Sequence, residues 1–463
     1  MRSLHETCET YKLIVTRRGA SEILLVPHGS DWALPRIDIR EHQRVAEQLN
    51  SETSRNWGLQ TCCLLVRSSR STDRTAGAKY AVLEAVPQNG KAPTGTYWMP
   101  RDVAAGRGVT GEAGAIRESL EELDSHTKGE KSAPFARPGW LRELFRWVQE
   151  QLSPLGLRVT GGFRQLNASP TFSLIRLETN DGALWFKATG EPNCHELPVS
   201  VLLARLFPKH VPRILGVHPA WNGWLSAEAP GTALDETSEF SDWERAAKEL
   251  AELQIASIGR TAELLEGKCK DLRLPELVAG IDPFLARMAE FMAAQEKPSP
   301  APLANSELAS LGEELKESFS LIQSFRLPDT LGHIDCNPGN ILVSPEGCVF
   351  LDWAEGCISN PLITFEYLRE HFRRSGIQET SGLERLTAAY MRPWTAFFSP
   401  EDLRRALAVS PLIAAFVYAM ASDAWRAPDS IHNQALAGYF RSLTRRMYRE
   451  AIYAAERSEL CLD

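Results

Sequence analysis

Hydrophobic and polar positions alternate along residues 10–103 in a way that predicts a mainly β region. Four runs rich in strand-forming residues are separated by turn residues: YKLIVTR, EILLVP, TCCLLVRSS and KYAVLEAVP. One helical stretch, REHQRVAEQLNSETSRNWGL at residues 40–59, lies between these strands. We therefore expect a first domain of mixed α and β structure over residues 1–103.

Residues 104–138 have a different composition and predict a linker. The segments AAGRGVTGEAG and SHTKGEKSAPFARPG are rich in Gly, Ser, Pro and charged residues. They flank one short predicted helix, AIRESLEEL. We place the boundary between domains in this segment.

The pattern after the linker predicts a small β-rich lobe over residues 139–232. It opens with an amphipathic helix that carries Trp140, Leu144 and Val148 on one face. Short strands follow, interrupted by one predicted helix near residues 196–207.

Helical periodicity dominates the rest of the chain and predicts a large helical lobe over residues 233–463. The one interruption is a pair of short apolar strands within residues 331–356. We find no internal repeats in the sequence.

Composition narrows the class of protein. The chain has 463 residues, 43% of them hydrophobic and 24% charged, which is typical of a globular protein with two or three domains. The formal net charge of −8 argues against a general nucleic-acid binder, which is usually basic. Nine scattered cysteines without a CxxC pair predict reduced thiols in a cytoplasmic protein.

Two apolar features bear on membrane contact. The N-terminal residues MRSLHETCETYKL lack the apolar core of a signal peptide. The run LIAAFVYAMA at residues 412–421 is about half the length needed to span a bilayer, so it predicts a buried helix. We expect no membrane contact, and the sequence leaves the oligomeric state open.

The stretch LGHIDCNPGNILVSPEGCVFLDWAEG, residues 331–356, concentrates candidate chemistry. Asp335 lies in a turn containing Gly and Pro, where a fixed carboxylate can orient a substrate hydroxyl or take its proton. Asn340 and Asp352 offer hard oxygen ligands suited to Mg²⁺. The turn SPEG predicts a hairpin that brings Asp352 back beside Asn340. One base and two metal ligands are the parts that phosphoryl transfer needs.

These residues resemble the catalytic loop of the aminoglycoside phosphotransferase/choline kinase-like family, which has the protein-kinase-like fold. Members often carry H-G-D-L-H-P-G-N-I-L, and this chain has HIDCNPGNIL. The spacing from Asp335 to Asn340 equals that of the kinase motif H-R-D-x-x-x-x-N. Cys336 and Asn337 replace the family's Leu-His pair, which leaves the three chemical positions intact but changes expected substrate contacts. The resemblance covers about residues 155–375.

The resemblance implies a nucleotide-binding lysine upstream. Lys187, at the end of the strand ALWFKATG, is the candidate for pairing with the α- and β-phosphates of ATP, and Glu196 is its candidate partner. The alternative is a solvated edge lysine and a glutamate that favours a helix N-terminus.

Two further segments have the position of nucleotide contacts. Small residues including Ser169 and Thr171 follow the first strand of the small lobe and would let backbone amides approach phosphates, although an ordinary hairpin turn explains them equally. The segment GWLSAEAPG, at residues 223–231, has the position of the inter-lobe hinge. Backbone groups from Ala227 to Ala229 would read adenine there.

Acidic residues beyond Asp352 have alternative interpretations. Glu355 is a substrate contact, a supporting acid or a solvated charge. Glu366 and Glu370 are expected on a helix, where exposed surface acids are the simpler interpretation.

The first domain resembles the Nudix hydrolase fold in its order of elements, with GTYWMPRDV as the closing strand. Nudix enzymes bind Mg²⁺ through R-E-x-x-E-E-x-G on a helix, and this chain offers Ser51, Glu52, Arg55 and Asn56 ahead of Gly58. The loss of carboxylates implies no metal site there. A second match, RESLEELDS at residues 117–125, is interpreted as a chance match on a solvated helix.

The sequence thus predicts an α+β protein in which a degenerate Nudix-like α/β domain precedes a protein-kinase-like bilobal domain. The expected function is ATP- and Mg²⁺-dependent phosphoryl transfer to a hydroxyl of an aminoglycoside, an amino alcohol or a sugar-like molecule. Asp335 and Asn340 are the expected catalytic residues, and Asn340 and Asp352 the metal ligands. The alternatives are a non-catalytic kinase-like ligand sensor, a protein kinase and a Nudix hydrolase.

Overall fold

The computed structural model describes residues 8–41, 44–67, 79–86, 91–108, 112–129 and 133–460. The chain divides into two compact units, each with its own core. The first unit comprises residues 1–197 and 213–228, and the second comprises residues 198–212 and 229–463.

The described secondary structure is mixed, with the strands concentrated in the first unit. The strands are β1 (Cys8–Arg17), β2 (Glu22–His28), β3 (Asp31–Ala33), β4 (Arg36–Arg40), β5 (Gln60–Arg67), β6 (Lys79–Val86), β7 (Tyr97–Pro100), β8 (Val159–Ala168), β9 (Ser173–Thr179), β10 (Ala183–Ala188), β11 (Ile214–His218), β12 (Gly223–Ala227), β13 (Thr232–Ala233), β14 (Lys270–Leu272), β15 (Thr330–His333), β16 (Ile341–Ser344), β17 (Gly347–Phe350) and β18 (Gly356–Ser359). The helices are α1 (Val45–Trp57), α2 (Arg101–Val103), α3 (Ala113–Thr127), α4 (Trp140–Leu152), α5 (Glu196–Leu206), α6 (Phe240–Ala256), α7 (Thr261–Glu266), α8 (Leu274–Ala293), α9 (Asn305–Ser324), α10 (Pro361–Arg374), α11 (Gly382–Trp394), α12 (Pro400–Met420) and α13 (Gln434–Leu460).

The N-terminal sheet of the first unit is built around β1. This strand runs parallel to β6 and antiparallel to β2 and β4, and the main strand order is β3-β2-β1-β6-β5. Both faces of β1 are buried, because Leu13 and Val15 enter one core while Ile14 between them enters another. The sheet therefore carries a hydrophobic layer on each side.

A second sheet in the same unit has the order β11-β12-β10-β9-β8, with neighbouring strands antiparallel. Its strand β10 alternates buried Leu184, Phe186 and Ala188 with half-buried Trp185 and Lys187. Lys187 therefore projects from the face opposite to the core.

Helix α4 joins these two sheets into one core. The predicted face of Trp140, Leu144 and Val148 is fully buried, in the cluster that also holds Ile14 from β1 and Phe186 from β10. The N-terminal sheet and the second sheet consequently share a hydrophobic interior within the first unit.

The short helix predicted inside the linker is α3, and its environment corrects one expectation. Residues 117–125 are not on a fully solvated helix, because Leu120 and Leu123 are buried in the same core as α4. Ile116 joins them at the helical spacing that forms a single apolar face.

The second unit is largely helical. Its core gathers buried side chains from α6 to α13 and from two small sheets, with strand orders β13-β16-β17 and β14-β18-β15. Helix α12 is long and apolar enough to cross a membrane by length and composition, and 72% of its most apolar window is buried inside the protein. The predicted buried helix at residues 412–421 is its C-terminal half.

The α+β class predicted from the sequence is confirmed, and the order of elements is the one expected of a protein-kinase-like fold: an antiparallel five-stranded sheet is followed along the chain by a largely helical unit that carries the β16–β17 hairpin. The Nudix-like identity of the N-terminal sheet stays a prediction. The proposed domain boundaries also stay predictions.

Candidate active site

The loop that carries Asp335 begins where a buried strand ends. All four residues of β15 are buried, and β15 pairs antiparallel with β18. Beyond it, the amide of Ile334 donates to the carbonyl of Glu355 over 3.1 Å, and the Ile334 side chain is buried. The next side chain, Asp335, is exposed at the surface of the second unit. A rigid strand therefore positions a solvent-accessible carboxylate.

Two amide side chains hold the Asp335 carboxylate. Asn340 Nδ2 donates to Asp335 Oδ2 over 3.2 Å and to the Asp335 backbone carbonyl over 3.1 Å. Asn337 Nδ2 donates to the other carboxylate oxygen over 3.0 Å. The sequence analysis did not predict this bond from Asn337. The available signal was that Asn337 stands where the family carries a histidine.

The hairpin of β16 and β17 brings Asp352 back to this loop. Ile341 pairs with Phe350, and the amide of Leu351 donates to the carbonyl of Asn340 over 2.8 Å. Asp352 then has φ 62° and ψ 60°, the left-handed conformation that non-glycine residues seldom adopt. Such backbone strain persists where the surroundings impose it, often at functional sites.

His333 links the Asp335 loop to the strand before Asp352. Its Nε2 lies 2.9 Å from the carbonyl oxygen of Leu351, and its ring packs on Trp353 at 4.8 Å. Burial lowers the pKa of His333, so the ring is neutral near pH 7 and Nε2–H donates to that carbonyl. The sequence analysis identified His333 as part of the motif but did not predict its hydrogen bond to Leu351.

The donor atoms near Asp352 fit a hard cation. Because Asn340 Nδ2 makes both hydrogen bonds to Asp335, its Oδ1 faces away from that carboxylate. Asn340 Oδ1 and the Asp352 carboxylate are oxygen ligands of the kind that Mg²⁺ prefers, so these two residues would hold such an ion. Among the described residues, no cluster of three or more His, Cys, Asp or Glu side chains could hold a metal by itself.

The first unit brings Lys187 and Glu196 together. Lys187 Nζ lies 2.5 Å from Glu196 Oε1, and the exposed fractions of the two side chains are 16% and 2%. The ammonium also lies 5.8 Å from the ring centroid of Trp224 on the neighbouring strand. A solvated edge lysine is therefore the wrong description, because β10 is central and the ion pair is largely buried.

The loop between β8 and β9 is a closed turn. The amide of Ser169 donates to the carbonyl of Phe172 over 3.1 Å, and the amide of Phe172 donates to Ser169 Oγ over 2.9 Å. The side chain of Thr171 lies against Gly190 and leaves no room for a Cβ atom there. These contacts fit an ordinary hairpin turn, and a phosphate contact at Ser169 or Thr171 stays a prediction.

The predicted hinge contains the division between the two units, which falls between Glu228 and Ala229. The amide of Ala227 donates to the carbonyl of Arg213 over 2.9 Å, and the amide of Glu228 donates to the carbonyl of Ala183 over 3.2 Å. These two amides are therefore occupied within the protein, and an adenine contact between Ala227 and Ala229 stays a prediction.

The acids beyond Asp352 are engaged in ion pairs. Glu355 lies 2.7 Å from Lys270. Glu366 is buried, which corrects its interpretation as a surface acid, and it binds Arg369 and Arg373 at 2.6 and 2.9 Å. The arginines three and seven residues along the helix were the sequence signal for this network.

The four candidate positions of the N-terminal domain, Ser51, Glu52, Arg55 and Asn56, all lie on α1. Glu52 lies 2.5 Å from Arg55 and so faces a cationic side chain. Gly58 ends the helix with φ 63°. The expectation that α1 holds no metal stays a prediction.

Several solved structures resemble the chain. One is a choline/ethanolamine kinase family protein from Mesorhizobium loti, at 17% identity over 67% of this chain and 98% of that one, with a TM-score of 0.44. A spectinomycin phosphotransferase in complex with ADP and spectinomycin matches at 10% identity, with coverages of 67% and 98% and a TM-score of 0.40. The GDP complex of an aminoglycoside 2'-phosphotransferase matches at 14% identity, with coverages of 66% and 98% and a TM-score of 0.44.

These neighbours fall within the group that the catalytic-loop motif resembles. No protein-family model matches the sequence, and no curated protein matches it. The names of the neighbours describe those proteins, and the chemistry of this chain rests on its own residues.

Proposed function

We propose that the protein is an ATP- and Mg²⁺-dependent phosphotransferase that acts on a hydroxyl of a small molecule, such as an aminoglycoside, an amino alcohol or a sugar-like compound. One observation carries the proposal: Asn340 Nδ2 holds Asp335 while the same hairpin returns Asp352 beside Asn340. This arrangement combines a base with two oxygen ligands, which is the set that phosphoryl transfer uses.

Asp335 would orient the acceptor hydroxyl. As the hydroxyl oxygen bonds to the γ-phosphorus, the bond from that phosphorus to the β–γ bridging oxygen breaks and ADP leaves with the electron pair. The hydroxyl proton passes to Asp335. The hydrogen bonds from Asn337 and Asn340 keep the carboxylate in one orientation and reduce the entropy lost when the acceptor binds.

Asn340 Oδ1 and the Asp352 carboxylate would hold Mg²⁺. When bound, the ion neutralises charge on the β- and γ-phosphates. The buried hydrogen bond from His333 to Leu351 fixes the backbone immediately before Asp352. It thereby maintains the ligand geometry without contributing a charge.

Lys187 would contact the α- and β-phosphates. Glu196 holds the ammonium at 2.5 Å, which restricts the rotamers of a long side chain before nucleotide binds. Ser169, Thr171 and backbone groups from Ala227 to Ala229 complete the proposed nucleotide contacts.

The cysteine beside the base is excluded as a nucleophile by its environment. Burial raises the pKa of the Cys336 thiol to about 12, so the thiolate is scarce at neutral pH. Direct transfer to the acceptor is therefore the favoured route. The described cysteines are free thiols, which supports a cytoplasmic location as part of the proposal.

The test is ADP release from ATP and Mg²⁺ across a library of aminoglycosides, amino alcohols, sugars and nucleosides. The wild type is compared with Asp335→Asn and with Asp423→Asn, a control at an exposed aspartate of the second unit. A compound that stimulates ADP release by the wild type and the control, but not by Asp335→Asn, identifies the acceptor class.

Equal stimulation of the wild type and Asp335→Asn would contradict the proposed base. Binding of ATP with Mg²⁺ without turnover on any library member would favour the non-catalytic sensor over the enzyme.

A further inference from the structure

The second unit contains a cavity of about 820 Å³ among α10, α11 and α12. Small-molecule sites typically occupy about 300–1,000 Å³ and combine an apolar lining with a few polar groups. None of the residues assigned to the proposed reaction lines this cavity. It is therefore a feature that phosphoryl transfer leaves unexplained.

Helical periodicity explains how the cavity acquires an apolar wall. On α11, Leu383, Thr387 and Met391 recur every four residues and line it together. On α12, Leu407 and Pro411 do the same. Helices α11 and α12 thus contribute apolar faces that a ligand with a hydrocarbon or aromatic body would cover, whereas α10 contributes two arginines.

The charged side chains at this cavity are predominantly basic. Four arginines line it, against one glutamate, Glu384. Two of the arginines, Arg369 and Arg373, are held by the buried Glu366. The local excess of positive charge contrasts with the net charge of −8 for the whole chain.

The other two arginines, Arg392 and Arg404, are exposed. Within the described ranges, neither forms an ion pair with an acidic side chain. A guanidinium binds carboxylates and phosphates through paired N–H donors, and such bonds are stronger than neutral hydrogen bonds. These two side chains are therefore available to an anionic group at the edge of an apolar cavity.

We propose that this cavity binds a small organic anion with an apolar body, whose carboxylate or phosphate group contacts Arg392 and Arg404. The apolar body lies against Leu383, Met391 and Leu407. The proposal does not depend on the phosphotransferase reaction, since it uses different residues and a different part of the second unit.

Calorimetric titration of the full chain with four probes that share an octyl chain tests the ligand class. The probes are octanoate, octyl phosphate, octanol and octyltrimethylammonium. We expect one of the two anions to bind at least about tenfold more tightly than octanol or the cation, because only the anions gain charge-assisted hydrogen bonds. The tighter anion assigns the head group, and added salt should weaken its binding.

Variants test the position of the site. Arg392→Gln and Arg404→Gln should each weaken anion binding about tenfold. Arg405→Gln is the matched control, because Arg405 adjoins Arg404 but lies over the ring of Phe325 at 5.5 Å. Ala388→Trp, at an exposed lining position, should block binding sterically while leaving the helices folded.

Three results would overturn the proposal. The first is equal affinity for octanol or the cation, and the second is unchanged affinity in the Arg392→Gln/Arg404→Gln double variant. The third is an absence of binding by both anions at millimolar concentrations. Circular dichroism and thermal melting of each variant distinguish loss of the site from loss of folding.

Discussion

Helix α1 and the β16–β17 hairpin are the two places where the sequence offers candidate magnesium ligands, and they differ in what surrounds the acid. On α1, Glu52 lies one helical turn from Arg55 and pairs with it at 2.5 Å. At the hairpin, Asn340 and Asp352 present oxygen atoms, and the amide nitrogen of Asn340 is occupied by Asp335. Candidate oxygen ligands for Mg²⁺ therefore form an ion pair in one region and a candidate metal site in the other.

The difference shows what a ligand motif requires beyond acidic residues. A carboxylate that faces an arginine already has a counter-ion, and a divalent cation would have to displace it. At the hairpin, the strand register and the bond from His333 to Leu351 place Asn340 and Asp352 next to each other. Substitutions in both regions test this contrast.

The largest effect is expected for Asp352→Ala. Removal of the carboxylate should reduce Mg²⁺-dependent ATP turnover more than about 100-fold, since loss of even the outer partners of metal ligands costs about 10–100-fold. Turnover measured across a Mg²⁺ titration checks this expectation. Turnover equal to that of the wild type at the same Mg²⁺ concentrations would remove Asp352 from the metal site.

The next effect is expected for Lys187→Met in the first unit. This change leaves Glu196 buried without its cationic partner, so we expect the free energy of unfolding to fall by about 3–5 kcal/mol. The KM for ATP should also rise. Chemical denaturation of the single variants and of Lys187→Met/Glu196→Gln measures the coupling. Additive losses in the double variant would show that the pair is not coupled.

A smaller effect is expected from pH. Burial lowers the pKa of His333 from 6.5, so the unfolded chain binds a proton more readily than the folded chain. The contribution of His333 to stability is therefore fully present above pH 6.5 and is lost as the pH falls through the folded-state pKa. Thermal melting of His333→Gln should depend less on pH between 7.5 and 5.5 than melting of the wild type. The difference should equal roughly the pH dependence of stability that one histidine contributes.

His432→Gln, at an exposed histidine, is the control for this experiment. An identical pH dependence for His333→Gln and the wild type would contradict the burial argument.

The smallest effect is expected for Glu52→Ala on α1. It removes a partly exposed ion pair between residues three positions apart, and such pairs contribute about 0.3–0.5 kcal/mol. We expect unchanged ATP turnover and nearly unchanged melting. A complete loss of turnover would restore α1 as a metal site and support the Nudix hydrolase alternative.

Much of the fold was predictable because its signals are local. Alternation identified β1, β2, β5 and β6, and the apolar spacing of α4 identified the face that is buried. The packing of α3 was not predictable in the same way. Its Gly- and Ser-rich flanks resemble a linker, whereas its burial depends on the core that α4 shares with two sheets.

The candidate site shows the same limit. Residue spacing and the SPEG turn brought Asp335, Asn340 and Asp352 together in the prediction, because a hairpin fixes its own register. The supporting bonds of Asn337 and His333 were missed, since each depends on side-chain direction. The burial of Glu366 was also missed, because it depends on the distant Ser410, whose hydroxyl lies 3.1 Å from its carboxylate.

The contact between β5 and β8 has a consequence for dissection of the chain. Each of the two strands is the last in the strand order of its sheet. The Gln165 side chain of β8 accepts a hydrogen bond from the backbone amide of Cys63 in β5 at 2.8 Å and donates one to the carbonyl of Cys63 at 2.9 Å. One glutamine side chain thus occupies peptide groups that would otherwise be open to a foreign strand. A fragment that begins at residue 139 lacks α1 and β5, which both pack against β8, and therefore exposes that strand at the end of its sheet. We therefore expect such a fragment to self-associate. In the full chain, the N-terminal sheet protects against this aggregation.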